Sequence, residues 1–295
     1  MNAELLIMFT LDCDRAYLYA HPERELTTDE LQRYDDALAR RATGVPAQYI
    51  TGHQEFWGLD LIVSPAVLIP RPETEHVVEA VLELAKQPSA ISHQPSGSSH
   101  PEEWRTEKIR SGTPTPDVPR APVPALRIVD VGTGSGAVAL ALAKQLPTAE
   151  IHATDISAAA LEVARANTAR HELGSRIEFH RADLLAGLPP QSFDFVVSNP
   201  PYVGESEEES VQLEVRKFEP RNAVFAGPTG LEVIERLIPQ AHDALVPGGW
   251  LVFEISGTIA DDVRRLLAGW SEVAIKNDLQ GIARVALARK PTSDY

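Results

Sequence analysis

Cysteine is nearly absent: Cys13 is the only one among 295 residues. No disulfide can close within the chain and no cysteine-based zinc site can be built. Cys13 therefore reads as a small buried apolar residue, and a reducing compartment, the cytoplasm, is expected. No apolar run approaches the ~18 residues needed to cross a bilayer. The first residues carry a short apolar run, Leu5 to Phe9, without a basic flank or a small-residue cleavage site, so no signal peptide is expected. Positive charge is scarce: 27 Lys and Arg face 42 Asp and Glu, a formal charge of -15. Such a surface repels phosphate backbones and disfavours general nucleic-acid binding. The nine histidines show neither HExxH nor any other ligand spacing, so no metal is expected. His53 and His76 read as packed or surface residues, and there is no internal repeat.

What is present is a foldable globular chain, 43% hydrophobic and 23% charged. Helical spacing runs from Ala3 to about Arg41. Thr28 is a candidate N-cap with Leu31 at the third helical position, and Gly44 and Pro46 end the helix. Phe56 to Ile69, apolar and β-branched with a break at Ser64-Pro65, predicts a β-hairpin. Helical spacing returns from Thr74 to Leu84. From Gln87 to Pro124 proline and serine dominate, Trp104 is the one aromatic, and too little apolar surface is available to offset the entropy of ordering. This segment reads as a flexible insertion. From Leu126 strands and helices alternate: strands at 127–131, 150–154, 176–180, 193–198 and 250–255, helices at 138–145, 158–171 and 231–245, and a closing strand pair at 272–277 and 284–288. The fifth strand is expected to follow a Pro247-Gly248-Gly249 turn. Alternation of this kind predicts an α/β fold with a doubly wound, mostly parallel sheet. The domain division expected is 1–52, 53–86, 87–124 and 125–295.

Two loops carry the chemistry. Gly132, Thr133, Gly134, Ser135 and Gly136 follow the first strand of the alternating region and open a helix. Glycines there allow positive φ and close approach of a ligand to the backbone, and the helix N-terminus presents free N–H groups. Asp155, at the end of the next strand, is placed to accept from both ribose hydroxyls of an adenosine. Gly132, Gly134 and Ala137 also fit the dinucleotide pattern. Asp130, just before the loop, suits a ligand with an amino group and a sulfonium better than a pyrophosphate, and Asp183 is placed to meet an adenine amino group. Both favour S-adenosyl-L-methionine over NAD.

The second loop is Asn199-Pro200-Pro201-Tyr202, directly after the fourth strand and at the carboxyl edge of the sheet, where open α/β folds bind ligands. Two prolines fix φ and remove two N–H groups. The Asn199 side-chain oxygen and the Pro200 carbonyl are then stiffly held acceptors that match a planar NH2 group, with Tyr202 as a wall. A planar amide or exocyclic amine is a poor nucleophile. Holding it in line with a methyl sulfonium helps chiefly by positioning, and accepting its hydrogens offsets the charge developing on nitrogen.

With these residues in view the chain resembles a known family, the protein glutamine N5-methyltransferases that modify class I peptide chain release factors. Beyond the two loops, Ile69-Pro70-Arg71-Pro72-Glu73-Thr74-Glu75 resembles that family's IPRPETE signature. Phe218-Glu219-Pro220-Arg221 resembles its segment after NPPY. Val45 to Gly52, followed by Glu55-Phe56-Trp57-Gly58, resembles its entry into a hairpin. The resemblance implies a small helical substrate-docking domain, a hairpin linker and a seven-stranded class I methyltransferase domain. S-adenosyl-L-methionine would be the cofactor, S-adenosyl-L-homocysteine its product, and the glutamine of a release factor's GGQ loop the acceptor. Carried over by motif, Gly132 to Gly136, Asp155, Asp183, Leu184 and Asn199 would bind the cofactor. Asn199, Pro200, Pro201 and Tyr202 would hold the amide, Asn199, Pro200 and Tyr202 carrying the catalytic role. Arg71, Pro72, Glu73 and Thr74 would line the substrate side. The chain departs from the family in a shorter N-terminal domain, in the insertion, and in having Leu184 where the family often has an aromatic.

Other readings stay open on sequence alone. A sibling enzyme could methylate glutamine in a ribosomal protein with the same chemistry. An adenine-N6 methyltransferase would use the same slot, but the charge of -15 and Glu205, Glu207, Glu208 and Glu209 beside the loop disfavour it. Those glutamates read as a solvated loop. A non-catalytic binding module has no need of the amide slot, and an NAD dehydrogenase lacks a His-carboxylate pair. A monomer is expected, with no membrane partner.

Overall fold

A computed structural model describes residues 2–87 and 125–292. Most of the Pro- and Ser-rich segment, with Trp104, lies outside the described residues. The N-terminal region consists of three separate helices: α1 (Asn2–Leu11), α2 (Arg15–Ala20) and α3 (Thr28–Ala42). The cap of α3 is Thr27, not Thr28. Thr27 Oγ1 accepts from the Glu30 N–H at 3.3 Å and the Glu30 carboxylate accepts from the Thr27 N–H at 2.9 Å, a reciprocal capping box. Placing the cap at Thr28 overlooked this acid. Asp14 starts α2 by accepting from the Tyr17 N–H at 2.7 Å. Cys13 is only half-buried, contrary to expectation, because it sits in the connection between two helices rather than on a packed face. Helices α1 and α3, with α4 (Ala47–Thr51), enclose a small core of Leu6, Ala37 and Ile50, to which α2 adds no buried residue.

The hairpin is real but displaced from its expected position. β1 (His53–Phe56) pairs antiparallel with β2 (Leu59–Ile62). The turn is Trp57-Gly58, both at positive φ (53° and 67°), as a two-residue type I′ hairpin demands. Trp57 carries no turn signature. It is held there because its N–H donates to Glu75 at 2.8 Å, while the Gly58 N–H donates to Glu55 at 2.6 Å. The chain then runs irregularly through Ser64-Pro65 to a 3-10 turn, Pro72–Thr74, which leads into α5 (Glu75–Ala85).

Helix α5 precedes the insertion yet belongs to the main core. Val77, Val78, Ala80 and Val81 are fully buried on it, each valine contributing on the order of 1.5–3 kcal/mol. The remaining elements are β3 (Arg127–Val131), α6 (Ala137–Gln145), β4 (Glu150–Asp155), α7 (Ala158–Arg170), β5 (Ile177–Arg181), β6 (Phe193–Ser198), β7 (Val203–Gly204), α8 (Leu213–Phe218), α9 (Arg221–Val224), β8 (Phe225–Gly227), α10 (Glu232–Ala244), β9 (Leu245–Glu254), α11 (Ala260–Leu266), β10 (Ser271–Asn277) and β11 (Ala283–Arg289). Seven strands form one sheet in the order β10-β11-β9-β6-β3-β4-β5. It is parallel from β9 to β5, and β11 runs antiparallel to both its neighbours. One face is covered by α5, α6 and the hairpin residues Phe56, Leu59 and Leu61, the other by α10 and α11. This is the doubly wound sheet the alternation predicts.

The Pro247-Gly248-Gly249 turn is not a turn before a strand but an irregularity inside β9. The pairing with β6 slips between Phe193 opposite Leu245 and Phe195 opposite Trp250, and Gly248 absorbs the extra length at φ 81°. Strand β3 sits centrally between β6 and β4, so the two chemistry-bearing loops leave neighbouring strand ends, with Val131 opposite Ser198. The Ser198 hydroxyl donates to the Val131 carbonyl at 2.8 Å and ties them together.

Candidate active site

The glycine loop turns back over the end of β4. The N–H groups of Gly132 and Thr133 both donate to the Thr154 carbonyl at 2.9 Å. Gly132 and Gly134 have φ of 71° and 56°, a region L-residues with side chains rarely enter. Asp155 fixes the loop from below: one carboxylate oxygen accepts from the Gly134 N–H at 2.9 Å, the other from the Ser157 N–H at 2.8 Å. Asp130 is buried under the loop and accepts from the Thr133 hydroxyl at 2.6 Å and the Ala139 N–H at 3.2 Å. Burial pushes its carboxyl up to about 6, against the pull of those two donors. Burial also raises Asp155 above the usual carboxylate range.

These residues line a cavity of about 540 Å³, within the ~300–1,000 Å³ span of small-ligand sites. Gly132, Thr133, Gly134, Ser135, Asp155, Asp183, Leu184 and Asn199 all border it, as do Asp130 and Thr74. Gly136 does not. A Cβ there would lie 2.6 Å from Leu140 Cδ1 and 3.3 Å from Ala164 Cβ, so this glycine lets α6 pack against α7. Asp183 forms an ion pair with Arg236 at the rim.

A second cavity, about 700 Å³, opens on the other side of the Asn199–Tyr202 loop. It is bordered by Arg71, Glu73, Asn199, Pro200, Pro201, Tyr202, Glu219, Glu254 and Arg284. Asn199 and Pro201 border both cavities, whereas Pro200 and Tyr202 border only the second. Pro72 borders neither. It starts the 3-10 turn that carries Thr74 inward.

The loop is anchored by a chain of hydrogen bonds that ends on Glu254, fully buried at the end of β9. Asn199 Nδ2 donates to Thr74 Oγ1 at 3.0 Å, Thr74 Oγ1 donates to one Glu254 oxygen at 2.6 Å, and Tyr202 Oη donates to the other at 2.8 Å. Burial raises the Glu254 carboxyl, and burial beside Glu254 pushes the Tyr202 phenol up. Thr74 gives its only proton to Glu254, so it can only accept from Asn199. The Asn199 amide orientation follows from that.

Sequence reasoning missed two contributors, Glu254 and Asn167, and met a third, Glu219, only inside the Phe218–Arg221 resemblance, without a role. Glu254 ends a strand that reads simply as apolar. Asn167 is fully buried on α7. It donates to the Ile62 and Ser135 carbonyls, both at 2.9 Å, and accepts from the Ile62 N–H at 2.6 Å, joining the hairpin to the glycine loop. Glu219 accepts from the Ile69 N–H at 3.0 Å and forms an ion pair with Arg71. The Phe218-Glu219-Pro220-Arg221 segment therefore clamps the Ile69–Glu75 segment. Of the acidic residues after the loop, Glu208 is taken up by a two-pronged pair with Arg221 at 2.8 and 2.9 Å. Glu207 accepts from the Gly204 N–H at 3.3 Å.

The donor set fits S-adenosyl-L-methionine. Three carboxylates and a glycine loop surround a cavity of the right size, and a Cβ at Gly132 would point into open space.

Comparison with known proteins gives the following. Residues 1–52 match the family described as PrmC N-terminal domain, and residues 118–217 match the Methyltransferase small domain. A release factor glutamine methyltransferase of Koribacter versatilis (strain Ellin345) is 50% identical over 294 residues, 99% of this chain and 92% of that protein. The release factor glutamine methyltransferase of Coxiella burnetii (strain RSA 493 / Nine Mile phase I) is 37% identical over 292 residues, 98% of this chain and 91% of that protein. Among solved structures, the hMettl16 catalytic domain in complex with the MAT2A 3'UTR hairpin 6 aligns with a TM-score of 0.55 at 20% identity, covering 84% of this chain and 81% of that one. A methyltransferase from Pyrococcus furiosus aligns with a TM-score of 0.50 at 18% identity, covering 88% and 98%. These two support the fold.

Proposed function

Because this chain belongs to the family of release factor glutamine methyltransferases, we propose that it transfers a methyl group from S-adenosyl-L-methionine to the side-chain amide nitrogen of the glutamine in the GGQ loop of class I peptide chain release factors. The observation that carries the reading is the position of the Asn199–Tyr202 loop as a wall between two cavities, with Asn199 bordering both. The cofactor belongs in the cavity under the glycine loop, the glutamine in the other.

The cofactor supplies an electrophilic methyl on a cationic sulfonium. The protein's part is to present a weak nucleophile to it. Asn199 Nδ2 is committed to Thr74, which leaves Oδ1 to accept one amide hydrogen of the glutamine. The Pro200 carbonyl accepts the other, and Tyr202, held by Glu254, flanks the amide plane. Both acceptors strengthen as positive charge grows on the nitrogen, so they favour the transition state over the ground state. The methylated amide nitrogen is left cationic and strongly acidic, so it loses one hydrogen to water and no strong base is required. Asp130 attracts the cofactor's cationic end, Asp155 takes the ribose hydroxyls, and Asp183 and Leu184 border the adenine.

Residues 1–52 serve in this reading as the docking domain, 53–86 as hairpin and linker, 87–124 as an insertion and 125–295 as the catalytic domain. The charge of -15 supports a protein rather than a nucleic-acid substrate. Among the described residues no helix is long and apolar enough to cross a membrane. The cytoplasm, a reducing compartment, fits the single free cysteine, Cys13.

The test is methyl transfer from labelled S-adenosyl-L-methionine to a class I release factor, with ribosomal proteins and DNA as rival acceptors. Labelling of the release factor alone is expected. Labelling of a ribosomal protein or DNA in its place would keep the slot chemistry and overturn the substrate.

A further inference from the structure

We propose that His152, Glu178 and His180 form a binding site for one divalent transition-metal ion of the zinc type, at the outer edge of the sheet. The site is separate from both cavities described above. No local motif announces it, since His152 and His180 lie 28 positions apart on different strands. The fold brings them together. β4 and β5 run parallel with His152 opposite Glu178 and Thr154 opposite His180. Residues two apart on a strand share a face, so the three side chains emerge on one side of the sheet.

Their ligand atoms converge. His152 Nδ1 lies 3.1 Å from His180 Nε2. One Glu178 oxygen is 3.6 Å from the His152 nitrogen and the other 3.6 Å from the His180 nitrogen. A tetrahedral zinc ion with Zn–N bonds of about 2.0–2.1 Å holds its ligand atoms about 3.3–3.4 Å apart, and the observed separations bracket that value. A shared proton accounts for the contact between the two nitrogens. The Glu178 carboxylate adds a third ligand group, one oxygen within 3.6 Å of each nitrogen.

The surroundings favour a cation held by neutral imidazoles. The two rings lie edge to edge within 17° of parallel, centroids 5.4 Å apart, and Phe193 holds His152 edge-on at 82°. Burial disfavours the protonated form of His152, which keeps a lone pair available. The nearby Arg127 and Glu150 neutralise each other at 3.1 Å, so the Glu178 charge remains for the ion. Two imidazoles and one carboxylate suit zinc, nickel or copper rather than magnesium or calcium. Glu178 and His180 face solvent, with side chains 67% and 26% exposed, and water completes the coordination. β5 is an edge strand, so the ion would stitch the sheet's outermost strand to its neighbour.

The experiment is calorimetric titration of the chelator-stripped, full-length protein with Zn2+, alongside thermal melting with and without Zn2+. One equivalent is expected to bind, and the melting temperature to rise, because the folded state alone presents the three ligands together. Loss of a supporting contact already weakens metal sites by about 10–100-fold. His152→Gln combined with His180→Gln should therefore weaken binding by ~100-fold or more and abolish the shift. Glu178→Gln, at an exposed position, should weaken binding without lowering the metal-free melting temperature, which separates a lost ligand from a lost fold. His171→Gln should change neither. Absence of stoichiometric binding, or binding undiminished in the double variant, would overturn the site and leave the pair sharing a proton only.

Discussion

The two cavities on either side of the Asn199–Tyr202 loop are built differently. The cofactor cavity rests mainly on backbone that is close in sequence: Gly132 to Gly134 hang from the Thr154 carbonyl and from Asp155, one strand further on. The second cavity rests on side chains drawn from four distant segments, Arg71 with Glu73, Asn199 to Tyr202, Glu219 and Glu254, joined by buried carboxylates and, through Thr74, to Asn199. A binding site made of backbone tolerates change around it. A reacting site made of a side-chain relay depends on every member. Damage to the first should therefore appear in cofactor affinity, and damage to the second in turnover or in the fit of the release factor.

The largest effect is expected for Asn199→Ala. Removing one preorganised partner of the developing charge typically costs about 10²–10³ in kcat. Single-turnover rates at saturating cofactor should fall by that order, and calorimetry should show cofactor binding retained. A loss explained wholly by cofactor affinity would place Asn199 with the first cavity alone.

Glu254→Gln comes next. The substituted amide brings a donor where two donors already converge, so Thr74 or Tyr202 loses its acceptor. If Thr74 turns its proton to Asn199, the amide flips and Oδ1 leaves the slot. A buried hydrogen bond to a charged group is worth about 1.5–3 kcal/mol, so kcat should fall ~10–100-fold with little change in the KM for cofactor. An unchanged kcat would detach Glu254 from the relay.

Asp155→Asn probes the other cavity. One carboxylate oxygen that holds the glycine loop becomes a donor, and the expected result is a roughly tenfold rise in cofactor KM with kcat retained at saturation. A fall in kcat alone would show that the two cavities are not separable in this way.

The smallest effect is a pH dependence. The Asp130 carboxyl is raised to about 6 by burial, so below that pH it is protonated and neutral and no longer attracts the cofactor's cationic end. Cofactor affinity should be flat above pH 7 and fall as the pH drops through about 6. Because a bound cation favours the ionised form, the midpoint should lie lower in the complex than in the free protein. Calorimetry across pH 5–8 checks this, and Asp130→Asn should flatten the profile.

The contrast between the cavities also explains what could be read from the chain in advance. The alternation of strands and helices, the glycine loop with Asp155, and the proline-stiffened loop are local patterns, and each occupies its expected place in the fold. Thr27 and the Trp57-Gly58 turn were misplaced because their partners, Glu30 and Glu75, decide the geometry and hydrophobic spacing does not register them. The Pro247–Gly249 stretch has turn chemistry but lies inside β9, where pairing with β6 overrides it. Gly136 carries the loop's sequence pattern, yet its role is the contact of α6 with α7. Glu254 and Asn167 were not legible, and Glu219 was legible only as part of a motif, because a buried polar residue declares itself through partners 32 to 180 positions away.

The measurement that bears most directly on the central claim is the location of the transferred methyl. A class I release factor reacted with the enzyme and S-adenosyl-L-methionine would be digested and mapped by fragmentation mass spectrometry, beside a factor carrying Gln→Ala in its GGQ loop. One methyl on the side-chain nitrogen of that glutamine, and none on the substituted factor, is the result expected of an amide held between Asn199 and Pro200. A methyl on another residue, or equal labelling of the substituted factor, would contradict it.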